Sequence, residues 1–156
     1  MDNNYKLRSL RYTFSLSDDK MIELFALAGH EVNRTEVCSW LKKDDDEGYK
    51  PIYDQHLAAF LNGLIISKRG KKDGQLPVAE KKLNNNMVLR KLKIALNLNV
   101  EDILEIISLT NFRFSKHELS ALFRNPKQQQ YQVCKDQVLR NFLQGLTIKY
   151  REVAPK

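Results

Sequence analysis

Eight basic side chains pose the first chemical question: Arg8 and Arg11, then Lys68, Arg69, Lys71 and Lys72, then Arg90 and Lys93. Clustered cations bind phosphate by releasing condensed counterions, so such a set points to a nucleic-acid backbone. The stretch 68–93 concentrates them, with nine Lys/Arg, Lys81 and Lys82 included, against two Asp/Glu. Residues 1–82 carry 14 basic against 13 acidic side chains and residues 83–156 carry 12 against 6, so +6 of the overall charge of +7 sits in the second half. An internal role competes for Arg8 and Arg90, as donors to the acidic first turns or carbonyl ends of neighbouring helices.

Catalysis needs a nucleophile, a base and an orienting group, or a metal set. His30, His56 and His117 lie in separate segments with no HxxxH, HExxH or CxxC spacing, and read as surface or boundary residues rather than ligands. Cys38 and Cys134 stand in unlike contexts and read as reduced thiols. The run Asp44 to Glu47 before Gly48 imitates a calcium loop, but no glutamate closes it at the twelfth position, so it reads as a solvated acidic turn. An enzyme would have to gather Asp54, Asp136, Tyr49 and Tyr131 into one site, and Asp at a helix start is ordinarily a cap. No catalytic residue, metal site or cofactor is assigned.

These residues need elements to hold them, and the apolar spacing supplies helices. Leu7, Leu10 and Phe14, like Leu89, Leu92 and Leu96, recur at i, i+3, i+7 and mark one apolar face. A second helix follows Ser17, with Asp18 and Asp19 in its first turn and an end near Gly29. A third starts at Asn33 with Glu36 three residues on, matched by Ser115 and Glu118, a capping-box pattern. The fourth follows Asp54, with Leu57, Phe60, Leu61 and Leu64 inward, matched by Leu139, Phe142, Leu143 and Leu146 after Asp136. Gly63 and Gly145 fall inside this helix, where glycine is costly unless another helix approaches closely. Residues 21–43 have the look of a helix-turn-helix that would turn Asn33, Arg34, Ser39, Lys42 and Lys43 outward. The long turn and the acidic run behind it favour a purely architectural hairpin with Trp40 in the core.

Sliding the chain by 82 positions aligns residues 3–69 with 85–151 without a gap. About 19 of 67 aligned pairs are identical, the mark of an internal duplication. "DQHLAAFLNGLI" pairs with "DQVLRNFLQGLT", and Tyr49 with Tyr131. No alternating strand pattern appears. The expectation is an all-α fold: a repeat over 1–69, a basic linker over 70–82 broken by Gly70, Gly74 and Pro77, a second repeat over 83–151 and a tail over 152–156. Two pseudo-symmetric four-helix repeats then pack into one body, because a lone unit of about 70 residues has a small core.

"NNYKLRSLRY", "WLKKDDDEGY", "FLNGLIISKRG" and "NNNMVLRKLKIALNL" resemble the YehS-like family of small bacterial proteins, a domain-of-unknown-function family built of two such repeats. The resemblance covers nearly the whole chain apart from the tail "VAPK" and carries over no activity, cofactor or catalytic residue. Hydrophobic content of 42% with 29% charged residues is globular, and the apolar runs fall short of the roughly 20 residues that span a bilayer. The start "MDNNYK" lacks a secretory pattern, so a cytoplasmic location is expected. The functional expectation is a non-enzymatic helical binding module with nucleic acid as the favoured partner. A protein-interaction adaptor offering Asn62 and Gln144 beside the glycines is the rival, and an enzyme with a site between the repeats comes third.

Overall fold

Side-chain caps set the helix starts in the computed structural model, which describes residues 1–71 and 76–153. In the first repeat, α1 (Asn3–Thr13) opens on Asp2, α2 (Asp18–Leu27) on Ser17 and α3 (Arg34–Leu41) on Asn33. In the second, α5 (Asn85–Ala95) opens on Asn84, α6 (Val100–Ser108) on Asn99 and α7 (Lys116–Leu122) on Ser115. Each of these six side chains accepts a first-turn backbone N–H that the helix itself cannot satisfy. Glu36 and Glu118 complete the expected capping boxes, and Asn99 with Asp102 forms a third. α4 (Asp54–Arg69) and α8 (Asp136–Val153) differ from expectation: the aspartates are the first helical residues, and the α4 cap is Tyr53, with no side-chain cap bond.

Among the described residues all regular structure is helical, in the same order in both halves. Gly29, with φ +81°, turns the chain after α2, and Asn111, with φ +62°, does so after α6. Asparagine is the substitute that tolerates the left-handed region there.

Within each repeat the fourth helix lies on the second, α4 on α2 and α8 on α6. The two glycines make this possible. A Cβ on Gly63 would lie 1.7 Å from the Leu24 carbonyl oxygen, and one on Gly145 would lie 2.1 Å from the equivalent Ile106 oxygen. The face of α4 and α8 marked by glycine is thus filled by the repeat's own second helix.

The first helices behave differently: α1 packs on α8 and α5 on α4, so each repeat lays its first helix on the last helix of the other. Phe14 meets Tyr150 edge-on with ring centroids 5.2 Å apart, and the Thr13 and Thr147 hydroxyls lie 2.7 Å apart. Arg151 donates to the Tyr12 carbonyl at 2.7 Å and stacks over the Tyr12 ring. A single core results, joining Leu7, Leu10, Phe25 and Phe60 to Leu89, Leu92, Phe142 and Leu146.

The asparagine pair opening each repeat ties its loops down. Asn4 donates to the Trp40 and Lys50 carbonyls at 2.9 and 2.8 Å and accepts from the Ile52 N–H at 3.1 Å. Asn86 repeats this with Leu122, Gln132 and Cys134. Asn3 and Asn85 each donate to the aspartate that opens the fourth helix, Asp54 and Asp136, at 2.7 Å. These carboxylates also cross between repeats: Asp54 accepts the Leu83 N–H at 2.8 Å, and Asp136 pairs with the Met1 amino group at 3.5 Å, the same sequence offset apart. No helix among the described residues is long and apolar enough to cross a membrane.

Candidate binding cavity at the α4–α5 junction

The basic residues singled out from sequence do not share one role. Arg8 donates to the Lys42 carbonyl at 3.1 Å and Arg90 to the Phe123 carbonyl at 2.7 Å, so both seal the ends of third helices, the internal role open to them. Arg11 pairs with Asp18 at 3.6 Å. The Lys68 ammonium lies over the Phe14 ring and that of Lys93 over the Phe123 ring. Arg69 and Lys71 are exposed and enter no ion pair among the described residues, while Lys72, like Gly74, lies outside them.

The hairpin of α2 and α3 is architectural. Trp40 packs against Phe25, Ser39 is buried rather than outward-facing, and Arg34 pairs with Asp18 and Asp19. The turn Asp44–Glu47 is exposed. His30 and His56, distant in sequence, come within 6.2 Å between ring centroids beside Trp40. Among the described residues no three His, Cys, Asp or Glu converge as metal ligands.

Asp54, Asp136 and Tyr49 also serve the scaffold, whereas Tyr131 lines the cavity described below. Burial would raise the Asp54 carboxyl, but the Asn3 amide and Leu83 N–H hold it below the usual range. The Asn85 amide does the same for Asp136. Between them Lys6 is buried, which lowers its pKa against the pull of Asp136 and Asp54. Tyr49 donates to Asn4 at 3.3 Å. The Cys134 thiol is 1% exposed, and burial pushes its pKa up to about 11, far from a reactive thiolate.

Five buried side-chain atoms have no partner among the described residues: Nδ1 of His30 and of His56, and three on residues that line a cavity of about 460 Å³ where α5 crosses α4. Its base is Asn62 and Ile65 of α4 with Met87, Arg90, Lys91 and Ile94 of α5. The loop after α7 contributes Arg124, Pro126 and Tyr131, and the segment before α5 covers it with Pro77 and Glu80. Lys91, 14% exposed, is the organiser: its ammonium donates to Asn62 Oδ1 at 2.6 Å and pairs with Glu80 Oε2 at 3.0 Å. Three buried atoms here have no partner among the described residues: Asn62 Nδ2, Glu80 Oε1 and Arg124 Nε. Asn62 is 1% exposed, and a buried donor without an acceptor costs about 1–3 kcal/mol.

The internal symmetry generates a second cavity, about 610 Å³, where α1 crosses α8. Tyr5, Arg8, Ser9, Tyr12, Gln144 and Thr147 of this cavity occupy the positions of Met87, Arg90, Lys91, Ile94, Asn62 and Ile65 in the other. Only the arginine is common to both. Ser9 stands where Lys91 organises the first site, so the charged cluster belongs to one junction alone. Sequence reasoning named Asn62 and Arg90 for other roles and missed Lys91, Glu80 and Arg124. At offset 82 Lys91 faces Ser9, one of six differences among the eleven aligned positions of α1 and α5 and not marked out from the rest.

Comparison with known proteins agrees with the two-repeat architecture. The family described as "Protein of unknown function (DUF1456)" matches residues 3–70 and again 85–152, and the chain belongs to that family. It is 40% identical over 151 residues to "Uncharacterized protein YehS" of Escherichia coli (strain K12), covering 96% of each chain. No solved structure matches.

Proposed function

We propose that the chain is a non-enzymatic, cytoplasmic helical binding module whose ligand enters the α4–α5 cavity. The observation that carries this reading is a largely aliphatic cavity on whose lining Asn62, Glu80, Arg90, Lys91 and Arg124 come together. Ligand sites combine apolar walls with a few converging polar groups. The volume, about 460 Å³, suits a small molecule. A non-enzymatic role is supported by the structural employment of Asp54, Asp136 and Tyr49 and by the protonated state of Cys134. The two free thiols suit a reducing compartment.

The test is thermal unfolding of the full chain with the small-molecule fraction of a bacterial extract. A ligand that binds only the folded chain raises its melting temperature by mass action. The reading expects a shift that is lost in Ile94→Trp, a substitution at a residue 47% exposed on the cavity wall, where added bulk does not disturb the core. The absence of any shift, or an equal shift in the variant, refutes it.

A second reading retains nucleic acid as partner, supported by the charge excess of the second half and by exposed Arg69 and Lys71. The adaptor reading is weaker, because α2 and α6 fill the glycine faces and Asn62 is buried.

A further inference from the structure

We infer that the α1–α8 cavity takes single-stranded nucleic acid, with bases stacked on Tyr12 and Tyr5 and phosphates held by the cations around them; this rests on the nucleic-acid reading above and adds to it a site and a strand state. Tyr5, Arg8, Ser9 and Tyr12 fall at i, i+3, i+4 and i+7 of α1, hence on one face, and that face forms one wall of the cavity. Gln144, Thr147 and Ile148 of α8 form the wall opposite. Tyr12 and Gln144 are exposed, so a ligand can reach both walls.

Tyr12 is the platform. It is 58% exposed even though the Arg151 guanidinium sits 4.0 Å from its ring centroid, so one face is held by the cation and a base can lie on the other. Arg151 donates to the Tyr12 carbonyl at 2.7 Å and to the Ser15 hydroxyl at 2.9 Å, which fixes the cation beside the ring. Tyr5 lies seven residues away, about 10 Å along the helix, the length of about three stacked nucleotides. Arg8 spends one donor on the Lys42 carbonyl and lines the cavity between the two rings.

Charge agrees with the rings. None of the eight lining residues carries a carboxylate, whereas Glu80 lines the α4–α5 cavity. That twin also has Met87 and Ile94 where this cavity has Tyr5 and Tyr12, so the pair of aromatic rings belongs to one junction. The Lys68 ammonium lies 5.4 Å from the centroid of Phe14, two residues past Tyr12, and exposed Arg69 and Lys71 follow it, which extends the cationic track beyond the Tyr12 end. A duplex would satisfy these cations but keep its base faces stacked on one another, and an acidic peptide would leave both rings unused.

The experiment is fluorescence anisotropy of the full chain at about 50 mM salt with three labelled probes: decathymidylate, decauridylate and a stable hairpin duplex. The better of the two single strands should bind at least about tenfold more tightly than the hairpin, and which one it is identifies DNA or RNA as the source. Tyr12→Ala should weaken that strand about tenfold, the loss of one stacked base, and Tyr12→Phe, which keeps the ring, should bind like the parent. Gln144→Glu, at an exposed position on the α8 wall, should weaken it about tenfold and by less at high salt, because the new charge repels phosphate. Thermal unfolding without probe checks that each variant folds, and Gln144→Glu decides the matter if Tyr12→Ala does not fold.

Hairpin binding as tight as that of the better strand overturns the inference. So does strand binding unchanged in Tyr12→Ala, weakened as much in Tyr12→Phe as in Tyr12→Ala, or displaced by polyglutamate at equal concentration. If binding survives Tyr12→Ala and Gln144→Glu but is lost when Arg69 and Lys71 are replaced with Gln, the α1–α8 site fails and the nucleic-acid reading stands. If no probe binds, both fail.

Discussion

Replacing Gly63 with alanine should separate the two helices that the first repeat is built on. The added Cβ would meet the Leu24 carbonyl oxygen at 1.7 Å and its carbon at 2.6 Å. Ordinary contact between heavy atoms is about 3.5 Å, so α4 and α2 would have to part by more than about 1 Å. Both clashing groups are backbone, and no rotamer change relieves them. Overpacking usually costs about 1–3 kcal/mol, and here the separation also loosens the contact of Phe25 with Phe60, 5.4 Å apart between ring centroids. Alanine returns about 1 kcal/mol through its better helix propensity. With the overlap at 1.7 Å taken at the top of the overpacking range, about 3 kcal/mol, and about 1 kcal/mol for the loosened aromatic contact, the expected net loss is about 3 kcal/mol, a large share of the roughly 5–15 kcal/mol that holds a typical domain. At about 2–4 °C per kcal/mol the melting temperature should fall by roughly 6–12 °C. Urea unfolding followed by Trp40 fluorescence is the natural assay, because this indole packs against Phe25 of α2. Gly145→Ala, with its contact at 2.1 Å to Ile106, should lose about 2 kcal/mol. A Gly63→Ala protein within about 0.5 kcal/mol of the parent would refute the close approach.

Three further outcomes are expected. Asn4→Ala should cost about 2–4 kcal/mol by urea unfolding, since it orphans the Trp40 and Lys50 carbonyls and the Ile52 N–H together, and Asn86→Ala should cost a similar amount. Cys134 keeps its proton in the folded chain to about pH 11, whereas an unfolded thiol loses it near pH 8.5. The unfolded state therefore binds fewer protons in that window, and stability should fall between about pH 8.5 and 11 by on the order of 3 kcal/mol, a slope that Cys134→Ala should flatten in unfolding curves taken at stepped pH. If nucleic acid is a partner, binding measured by fluorescence anisotropy should fall with salt at a logarithmic slope of about −0.9 per phosphate, and Arg69→Gln with Lys71→Gln should flatten it by about two contacts; no binding at about 50 mM salt removes that reading.

The fold was legible because it is written twice. The offset of 82 paired Leu57, Phe60, Leu61 and Leu64 with Leu139, Phe142, Leu143 and Leu146, and all eight are buried. Capping chemistry at Ser17, Asn33 and Ser115 is local and visible in the sequence, whereas Asp54 looks like a cap there because its partners, Asn3 and Leu83, lie far away in sequence. The cavity was illegible for the same reason. Asn62, Glu80, Lys91 and Arg124 come from four segments, and no spacing rule unites them. Sequence leaves Arg8 and Arg90 open between phosphate contact and internal donation, because a duplicated unit repeats its structural bonds as faithfully as its surface.

The exchange of first helices says something about ancestry. If a single repeat folded alone, its first helix would lose the other repeat's fourth helix, its main support, and the carboxylate opening its own fourth helix would lack the neighbouring chain start that Asp54 and Asp136 receive here. Two identical copies would satisfy one another, which is the description of a homodimer with a twofold axis. In such a dimer every substitution appears at both junctions, so a charged cluster could arise only in duplicate. Joining two such copies in one chain removes that constraint. Lys91 could then change without Ser9, and one junction could acquire charge while its twin supplied the packing.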